Sequence, residues 1–326
     1  MHVLVTGASG YLGCATVRRL TADGHAVTAM VRRAGIEWPT GVSQWLVEDL
    51  CDLGAGAEQR LRAIVSIIHC AARVHVLAET AADPRAEFRR VNVQATLSLA
   101  AQAAAAGVAR FVFLSSIGVN GSSSGRRAFG PDDLPQPDTP YAVSKWDAEQ
   151  ELQALSRRTG LAVISVRAPM IYGRNAPGNF ALLCKAVRSG VPLPLGALRE
   201  QRSFVAMDNM LDLLARLVTL SGVVKGTYLV SDGQDLSTAD FVRLIARAMH
   251  CHTVLVPVPR GLLTALAGLV GRAEQVRKMA VPLTIDISRT RADLAWAPQW
   301  TVEQALQREL GPTVRSKPPT QSRSYP

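Results

Sequence analysis

The sequence predicts an α/β fold in which a doubly wound parallel sheet is followed by a smaller mixed α/β domain. Short apolar runs rich in β-branched residues alternate with longer segments whose apolar residues recur at helical spacing, and this alternation is typical of βαβ units. Beyond residue 168 the pattern loosens into short elements interrupted by Pro and Gly. We therefore expect a first domain over residues 1–168 that also takes in about 203–232, a second over 169–310, and a disordered tail over 311–326.

The elements follow from apolar runs bounded by turn residues and from helical periodicity. In the first domain, strands are predicted at 2–6, 26–31, 44–47, 63–68, 110–114 and 161–166. Helices are predicted from the first turn to about 23, and at 84–106 and 141–159. In the second domain, helices are predicted at 180–189, at 208–220 with Asp208 as cap, at 238–250 and within 260–281, with strands at 202–205 and 226–230.

Length, charge and cysteine content narrow the class of protein. The chain has 326 residues, a charged fraction of 19% and a net charge of +10. This charge suits an anionic ligand such as a nucleotide diphosphate, but solvated Arg side chains on helix faces also account for it. No dense Lys/Arg run with interleaved aromatics occurs, so nucleic-acid binding is not expected. The five scattered cysteines lack a C-x-x-C pair, which argues against disulfides and a metal site and favours a cytoplasmic protein.

The most apolar late stretch, residues 261–271, predicts a helix. It is too short to span a bilayer, so stable membrane insertion is not expected. The helix could be buried in the protein or could lie on a membrane surface, and the buried position is the favoured interpretation. The chain opens directly into a strand pattern, so no signal peptide is expected.

A glycine-rich turn follows the first predicted strand. Its glycines are three residues apart, and the turn opens a helical pattern. Glycine lets the backbone approach a pyrophosphate, whose negative charge is then bound by the helix N-terminus. The turn therefore predicts a Rossmann-type site for NAD(P)(H), with contacts from Gly7, Ser9, Gly10, Tyr11, Leu12 and Gly13.

The residues after the second predicted strand bear on which dinucleotide is bound. An acidic residue there would hydrogen-bond the adenosine ribose and favour NAD. The chain has Arg32 and Arg33 instead, and guanidinium groups suit a 2′-phosphate. The pair slightly favours NADP(H), although one Arg could instead stack on adenine.

Several predicted strands end in residues that should meet at one edge of the sheet, where parallel α/β sheets bind ligands. His69 could be a catalytic base there, but a packed, hydrogen-bonded histidine is the favoured interpretation. The loop 120–140 is rich in Gly, Ser, Pro and Asp and predicts a mobile loop or lid beside this crevice. Contacts with the cofactor are expected from the residues after the strands: Asp49, Leu50, Cys70, Ala71, Ala72, Ser115 and Ala168.

Tyr141 and Lys145 stand four residues apart at the start of a predicted helix. Positions i and i+4 share a helix face, so the phenol and the ammonium point in the same direction. A nearby ammonium favours the phenolate and lowers the pKa of the phenol, which makes a tyrosine a usable general acid or base. The pair alone is a weak signal, and an exposed helix pair is the alternative. The glycine turn and Ser116 at a strand end make catalysis the favoured interpretation.

In these residues the chain resembles the extended short-chain dehydrogenase/reductase family, in its nucleotide-sugar epimerase, dehydratase and reductase branch. The resemblance extends from residue 1 to about residue 310 and is carried by TGASGYLG, HCAA, Asn92, SSIGVNG, YAVSK, VRAPMIYG and RSFVAMDN. The stretches SSIGVNG, PLPLG and LVSDGQDLST are most similar to bacterial enzymes of O-antigen and lipopolysaccharide synthesis. Among these are 4-ketoreductases that form UDP-N-acetylquinovosamine, and relatives described as UDP-glucose 4-epimerases.

The resemblance implies a role for each matching residue. Tyr141 would exchange a proton with the C4 oxygen of a UDP-sugar, and Lys145 would bond the nicotinamide ribose. Asn92 would support the active-site water and backbone. Arg202 would pair with the diphosphate, a surface ion pair being the alternative. Substrate contacts are expected from Ser116, Ile117, Tyr141, Asn179 and Arg202, and a homodimer is expected through the helices that begin at Tyr141 and Pro84.

The reaction stays open at this point. Epimerases of this branch that hold NAD tightly usually carry an acidic residue where this chain has Arg32 or Arg33, so the pair favours a reductase of a UDP-4-keto-6-deoxy-N-acetylhexosamine. The alternative is a UDP-hexose or UDP-N-acetylhexosamine 4-epimerase with bound NAD. A steroid- or flavonoid-type hydroxy dehydrogenase would not need Arg202, and a non-catalytic NAD(P)-sensing module would not need the Tyr/Lys pair, so both are less favoured.

Overall fold

The structure, a computed structural model, describes residues 1–74, 83–222, 224–269 and 273–311. Its centre is a seven-stranded sheet in which every neighbouring pair of strands is parallel. Helices cover both faces of the sheet, so the predicted doubly wound α/β fold is confirmed. Disorder was predicted for the tail over 311–326, and from residue 312 onward the tail lies outside the described ranges. The division into two domains stays a prediction.

The strands appear in the following order along the chain: β1 (His2–Thr6), β2 (Ala26–Val31), β3 (Val42–Leu46), β4 (Ser66–His69), β5 (Arg110–Ser116), β6 (Ala162–Ala168), β7 (Ile171–Tyr172), β8 (Gln201–Ser203), β9 (Val205–Ala206), β10 (Gly226–Leu229) and β11 (Asp235–Ser237). The central sheet has the order β10-β6-β5-β4-β1-β2-β3. The order reverses between β1 and β4, and a reversal of this kind opens a crevice at the carboxyl ends of the strands. Thr6 lies opposite both Met30 and His69, so these strands end level with one another at the crevice.

The helices are, in chain order, α1 (Tyr11–Ala22), α2 (Ala57–Arg62), α3 (Pro84–Arg89), α4 (Ala95–Ala105), α5 (Pro140–Thr159), α6 (Asn179–Arg188), α7 (Met207–Thr219), α8 (Thr238–Ala248), α9 (Arg260–Leu269), α10 (Ala273–Met279), α11 (Ser288–Leu294) and α12 (Val302–Leu310). A π-helical turn, Arg90–Gln94, joins α3 to α4.

Alternation along the strands builds a core on each face of the sheet. Val3 and Val5 belong to one apolar cluster, which also holds residues of α1 and α7. Leu4, which lies between them in the strand, belongs to a second apolar cluster on the opposite face of the sheet, together with Leu99 of α4 and Leu152 of α5. Successive strand residues point to opposite faces, so β1 is buried on both sides, as its unbroken apolar sequence predicts. A further apolar cluster lies under the elements that follow β6, around Phe204 and neighbouring aromatic residues.

Local differences from the predicted elements have identifiable causes. The helix predicted at 84–106 is divided by the π-helical turn. The strand predicted at 202–205 is split into β8 and β9, which pair with different strands: β8 with β11 and β9 with β7. Phe204 lies between them, and its ring stacks on Phe241 with centroids 4.1 Å apart. Asp208 does not cap α7, since the N-cap is Ala206; its carboxylate accepts a hydrogen bond from Arg308 instead.

The loop 120–140, predicted as a mobile lid, is anchored in the structure. Asn120 is buried, and its side-chain amide donates to the carbonyl of Gly130. The main chain of Phe129 makes hydrogen bonds with Thr284 and Asp286, at 2.8 and 2.9 Å. The segment 282–286 also bonds β8, so it ties this loop to the strand on the far side of the crevice.

Helix α9 corresponds to the apolar stretch for which burial was predicted. Leu263 is buried, but Leu262, Leu266 and Leu269 are 54%, 50% and 83% exposed. The prediction of a buried helix is therefore wrong for most of its surface. Residues 270 and 271 of the stretch lie outside the described ranges. Of the helices within those ranges, none combines the length and the apolar character that a membrane crossing requires.

Candidate active site

A cavity of about 630 Å³ opens at the carboxyl ends of β1, β2 and β4, and we name it the glycine-turn cavity. The structure brings together there nine of the residues that were predicted to contact a cofactor: Gly7, Ser9, Gly10, Arg32, Asp49, Leu50, Cys70, Ala71 and Ala72. Charged residues that were not predicted also line it: Glu48, Arg73, Glu87 and Arg90. Arg90 donates to the carboxylates of Asp49 and Glu87, so part of this charge is already paired within the wall.

Glycine is required in this turn because other main-chain atoms lie too close to leave room for a side chain. Gly7 has a φ of +61°, and a Cβ there would lie 2.7 Å from main-chain atoms of Ala71. A Cβ on Gly13 would lie 2.2 Å from the carbonyl oxygen of Gly7, so any side chain would push α1 away from the turn. The N-terminus of α1 thus sits directly beside the cavity. This arrangement fits the pyrophosphate of a dinucleotide.

Four of the predicted cofactor residues near the ends of β1 and β2 do not line the glycine-turn cavity. Leu12 and Gly13 are buried in the packing of α1, and the side chain of Tyr11 packs against the apolar cluster around Phe204. Arg33 is exposed and does not line the glycine-turn cavity, unlike Arg32. The structure therefore separates the two arginines that the sequence treats as a pair.

A second cavity of about 370 Å³ lies at the carboxyl ends of β5 and β6, and we name it the tyrosine cavity. All five predicted substrate residues line it: Ser116, Ile117, Tyr141, Asn179 and Arg202. Ala168, predicted as a cofactor contact, lines this cavity and not the other. Apolar side chains of Met170, Leu183 and Phe204 complete much of its wall. The cavity thus combines a phenol and a hydroxyl with a guanidinium in partly apolar surroundings.

Lys145 is buried behind Tyr141 on the same face of α5. Its ammonium donates to the carbonyl of Leu114 at 2.8 Å and lies 4.5 Å from the centroid of the Phe113 ring. Burial lowers the pKa of Lys145 to about 8, against a smaller raising effect from the neighbouring Cys70 and Glu149. Lys145 lines neither cavity, but it lies between Cys70, which lines the glycine-turn cavity, and Tyr141, which lines the tyrosine cavity. Its contact with a cofactor stays a prediction.

The expected lowering of the Tyr141 pKa is not found in this structure. The Lys145 ammonium is 5.9 Å from the centroid of the Tyr141 ring, and burial of the phenol raises its pKa to about 12. Removal of water from a phenolate therefore outweighs the attraction of an ammonium at this distance. Tyr141 holds its proton at neutral pH, which suits it to donate that proton to a developing alkoxide.

Asn92 occupies the π-helical turn between α3 and α4 and is fully buried. Its side chain accepts from the amide of Arg73 at 2.7 Å and donates to the carbonyl of Arg73 at 3.0 Å. It also donates to the hydroxyl of Ser144 at 2.9 Å, and Ser144 in turn donates to the carbonyl of Tyr141. Asn92 therefore connects the wall of the glycine-turn cavity to the first turn of α5. Asn92 thus bonds the main chain of Arg73, and its predicted support of an active-site water stays a prediction.

Ser115 and Ser116 point in opposite directions, as adjacent strand residues do. Ser116 lines the tyrosine cavity, and its hydroxyl accepts a hydrogen bond from the amide of Gly118 at 3.1 Å. Ser115 is buried and donates to the carboxylate of Glu149 at 2.5 Å. It lines neither cavity, so its predicted contact with a cofactor finds no support in the geometry.

A buried charged network beneath the site was missed by sequence reasoning. Arg167 and Glu149 are 2% and 0% exposed, and their side chains are joined by three hydrogen bonds of 2.7 to 3.2 Å. Arg167 also donates to the side-chain oxygen of Asn120 at 2.9 Å. Two signals were available. Glu149 follows Lys145 by one helical turn, and an arginine interrupts the apolar strand β6.

His69 is a packed histidine. Its two ring nitrogens contact the hydroxyls of Thr6 and Thr96 at 2.8 and 2.9 Å, and the side chain is fully buried. Burial, with a smaller effect from the charge of Lys145, lowers the pKa of His69 to about 3. With both nitrogens engaged and no exposure, His69 is not placed to act as a catalytic base.

Arg202 lines the tyrosine cavity from β8. Its guanidinium donates to the carbonyls of Lys278 and Val281, at 2.6 and 2.8 Å, and burial lowers the pKa of Arg202 to about 10. Within the described part of the chain these partners are main-chain carbonyls, so the alternative of a surface ion pair is not observed. Asn179 lines the same cavity from the first turn of α6. A guanidinium that remains charged and faces a cavity suits a diphosphate.

Comparison with known proteins agrees with this geometry. The NAD dependent epimerase/dehydratase family matches residues 3–231. A UDP-glucose 4-epimerase of Vibrio cholerae is 33% identical over 308 residues, which cover 93% of each chain.

Solved structures share the fold over most of the chain. The UDP-N-acetylglucosamine 4-epimerase of Bacillus cereus superposes with a TM-score of 0.78 at 20% identity, covering 95% of this chain and 98% of that one. The UDP-glucose 4-epimerase of Thermus thermophilus, in complex with NAD, gives 0.75 at 23% identity, covering 95% and 98%. At these identities the likeness concerns the fold. The family match over residues 3–231 and the 33% identity with the relative from Vibrio cholerae show that the chain belongs to the NAD dependent epimerase/dehydratase family.

Proposed function

We propose that the protein is an NAD(P)-dependent enzyme that acts at C4 of a UDP-sugar and interconverts the two C4 epimers. One observation carries the proposal. Tyr141 and Ser116 share the tyrosine cavity with Arg202, while Lys145, one helical turn away, is buried behind Tyr141 and near Cys70 of the glycine-turn cavity. The relative from Vibrio cholerae, described as a UDP-glucose 4-epimerase, supports the choice of epimerisation.

The residues present fit a dinucleotide in the glycine-turn cavity, where the glycines leave the backbone bare beside the N-terminus of α1. Gly7, Ser9 and Gly10 would hold its pyrophosphate, and Arg32 would lie near its adenosine end. When bound, NAD(P) supplies a hydride acceptor and donor for the carbon that is oxidised and reduced again.

The chain's own residues handle the proton and the substrate's orientation. In the oxidative half of the epimerisation the Tyr141 phenolate takes the proton of the C4 hydroxyl, and in the reductive half the phenol returns it to the C4 oxygen. The positive charge of bound NAD would favour the phenolate that the oxidative half requires. The Ser116 hydroxyl hydrogen-bonds the same C4 oxygen. Arg202 and Asn179 bind the diphosphate from the opposite wall. The apolar wall at Met170 and Leu183 excludes water from the reacting carbon, which protects a keto intermediate from side reactions.

The test is incubation of the full chain with UDP-glucose and with UDP-N-acetylglucosamine in the presence of NAD. We expect the corresponding C4 epimer to form, as resolved by proton NMR, with no net change in the near-ultraviolet absorbance of reduced nicotinamide. Failure of both sugars to epimerise, with or without a net change in cofactor oxidation state, would contradict the proposal.

A second candidate is a 4-ketoreductase of a UDP-4-keto-6-deoxy-N-acetylhexosamine, as favoured by the sequence. The observation behind it is that Arg32 lines the glycine-turn cavity, where a 2′-phosphate and an exchangeable NADPH would fit. A reductase would oxidise one NAD(P)H for each keto sugar consumed. Stoichiometric oxidation with the keto sugar, and none of the epimer, would select this function over the first.

Arg32 is expected to decide the choice between the two dinucleotides. Arg32→Asp should lower the preference for NADP over NAD, measured as the ratio of kcat/KM values, by roughly tenfold or more. One charge-assisted hydrogen bond is worth about 1.5–3 kcal/mol, and a carboxylate would also repel a phosphate. Arg33→Asp is the matched control, since Arg33 is exposed and lies outside the cavity. If the ratio does not move in Arg32→Asp, or moves as far in the control, Arg32 does not bind a 2′-phosphate.

Lys145→Met should lower turnover and weaken dinucleotide binding together, because the ammonium lies between the two cavities. Titration calorimetry with NAD gives the affinity, and the exposed Lys225 provides a matched control as Lys225→Met. The pKa of Lys145 is lowered to about 8, so the group is charged below that pH and neutral above it. Turnover that needs the ammonium should therefore fall as the pH rises through about 8. An unchanged affinity for NAD in Lys145→Met would remove its proposed role.

The assignment to O-antigen synthesis, the cytoplasmic location and the homodimer stay predictions. The homodimer was expected through α5 and the helix that begins at Pro84.

A further inference from the structure

Helix α9 presents an apolar surface to solvent. After Arg260 its sequence contains no charged residue, and Thr264 is its only polar side chain. Leu262, Leu266 and Leu269 recur at i, i+4 and i+7, so they share one helix face. They are 54%, 50% and 83% exposed. A helix this apolar is normally buried, and here three large side chains on one face are not.

The exposed leucines are not used by the fold or by the candidate active site. Helix α9 packs on the protein through Leu263, which lies in a small cluster with Leu198, Val276 and Ala280. The three leucines belong to none of the core clusters of described residues, and they line neither the glycine-turn cavity nor the tyrosine cavity. A lid function over the substrate would require them to face the cavity.

More apolar surface and a basic charge accompany this face. Val254 and Val256, just before α9, are 59% and 40% exposed. The segment 253–281 contains four basic residues and one acidic residue, within a chain of net charge +10. Arg277 and Lys278 are exposed on α10, which packs against α9. Arg260 at the start of α9 is paired with Glu200 at 2.6 Å, so the basic charge described beside the apolar face is that of α10.

We propose that α9 docks the protein on an anionic membrane surface. The three leucines enter the boundary between headgroups and acyl chains, and the exposed basic residues of α10 attract the anionic headgroups. A second copy of the chain fits this face less well, because docking would bring two positively charged surfaces together over a small apolar area. Lys278 and Met279, at the end of α10, line the tyrosine cavity, so the docked protein holds that cavity close to the bilayer.

The experiment is co-sedimentation of the full chain with vesicles. One set is phosphatidylcholine alone, and the other contains roughly a third phosphatidylglycerol to supply anionic charge. The variant is Leu266→Glu with Leu269→Glu. Leu134→Glu is the matched control, since Leu134 is 79% exposed in the loop 120–140. Leu269→Ser alone is a milder variant if the double one fails to fold, and thermal unfolding of each variant checks this.

We expect the parent chain and Leu134→Glu to bind the anionic vesicles and to release them as salt rises from about 0.1 M to about 1 M. Binding should fall roughly tenfold or more in the double variant. Each leucine that is replaced no longer contributes the free energy of its transfer from water to the acyl chains, and this free energy corresponds to at least about a tenfold change in binding. A parent chain that does not bind anionic vesicles would overturn the proposal. So would equal binding by the leucine variant, or equilibrium sedimentation in which that variant converts a dimer to a monomer.

Discussion

Tyr141→Phe is expected to lower turnover by roughly a hundredfold to ten-thousandfold, which is the range that general acid–base groups contribute. The change removes only the hydroxyl, and Phe keeps the edge-to-face contact with Phe88, whose ring centroid is 6.3 Å away. Burial raises the pKa of the Tyr141 phenol to about 12, so the group carries the proton that the C4 oxygen receives in the reductive half of the epimerisation. In the oxidative half the phenolate takes that proton back from the C4 hydroxyl, so removal of the Tyr141 oxygen should slow both halves.

The measurement is turnover with whichever of UDP-glucose and UDP-N-acetylglucosamine the parent chain epimerises. Calorimetry gives the affinities for NAD and for UDP. Both affinities should stay within a few-fold of the parent, because the dinucleotide and the diphosphate are bound by other residues. Tyr228→Phe is the matched control, since it removes a phenol hydroxyl that bonds Asp293 outside both cavities. Turnover retained in Tyr141→Phe would refute the proposed function.

Arg167→Met should cost about 3–5 kcal/mol of the free energy of unfolding, the usual result of removing one partner of a buried ion pair. Glu149 is fully buried, and without Arg167 its carboxylate would keep only the hydrogen bond from Ser115. Glu149 lies one helical turn beyond Lys145, so the catalytic helix α5 should lose part of its attachment to β6. Urea denaturation followed by fluorescence gives the free energy.

Arg62→Met is the control, because its partner Glu58 is also at the surface, with side chains 68% and 64% exposed. Exposed pairs contribute about 0–1 kcal/mol. In the double variant Arg167→Met with Glu149→Leu, part of the loss should return, since no uncompensated charge remains in the core. A loss in Arg167→Met no greater than that in Arg62→Met would show that this network does not hold the helix.

The sheet and the placement of the candidate catalytic residues at one edge of it could be predicted because their signals are local. Glycines three residues apart after a strand require a tight turn whatever the rest of the chain does, and Gly7 takes up the positive φ that this turn demands. Tyr141 and Lys145 share a helix face by spacing alone. The parallel sheet then brings strand ends together at one edge, which placed Ser116 correctly beside Tyr141.

What the sequence could not give depends on burial and on pairing across the fold. The pKa of Tyr141 is raised because desolvation, which spacing does not reveal, exceeds the effect of Lys145. The partnership of Arg167 with Glu149 joins a strand to a helix, so neither residue identifies the other. For helix α9 the sequence predicted too much burial. Its composition predicts burial, but the rest of the chain covers only the side that carries Leu263.

The two cavities are walled by separate stretches of the chain. Every residue that lines the glycine-turn cavity lies between Gly7 and Ala95, whereas the lining of the tyrosine cavity extends from Ser116 to Leu283. Arg202, which lines the second, is held by a hydrogen bond to the carbonyl of Val281, 79 positions further along the chain. A protein emerges from the ribosome N-terminus first, and distant contacts form late. The growing chain therefore completes the wall for a dinucleotide well before the wall for a sugar, and a dinucleotide bound at that stage would stabilise the nascent fold by mass action.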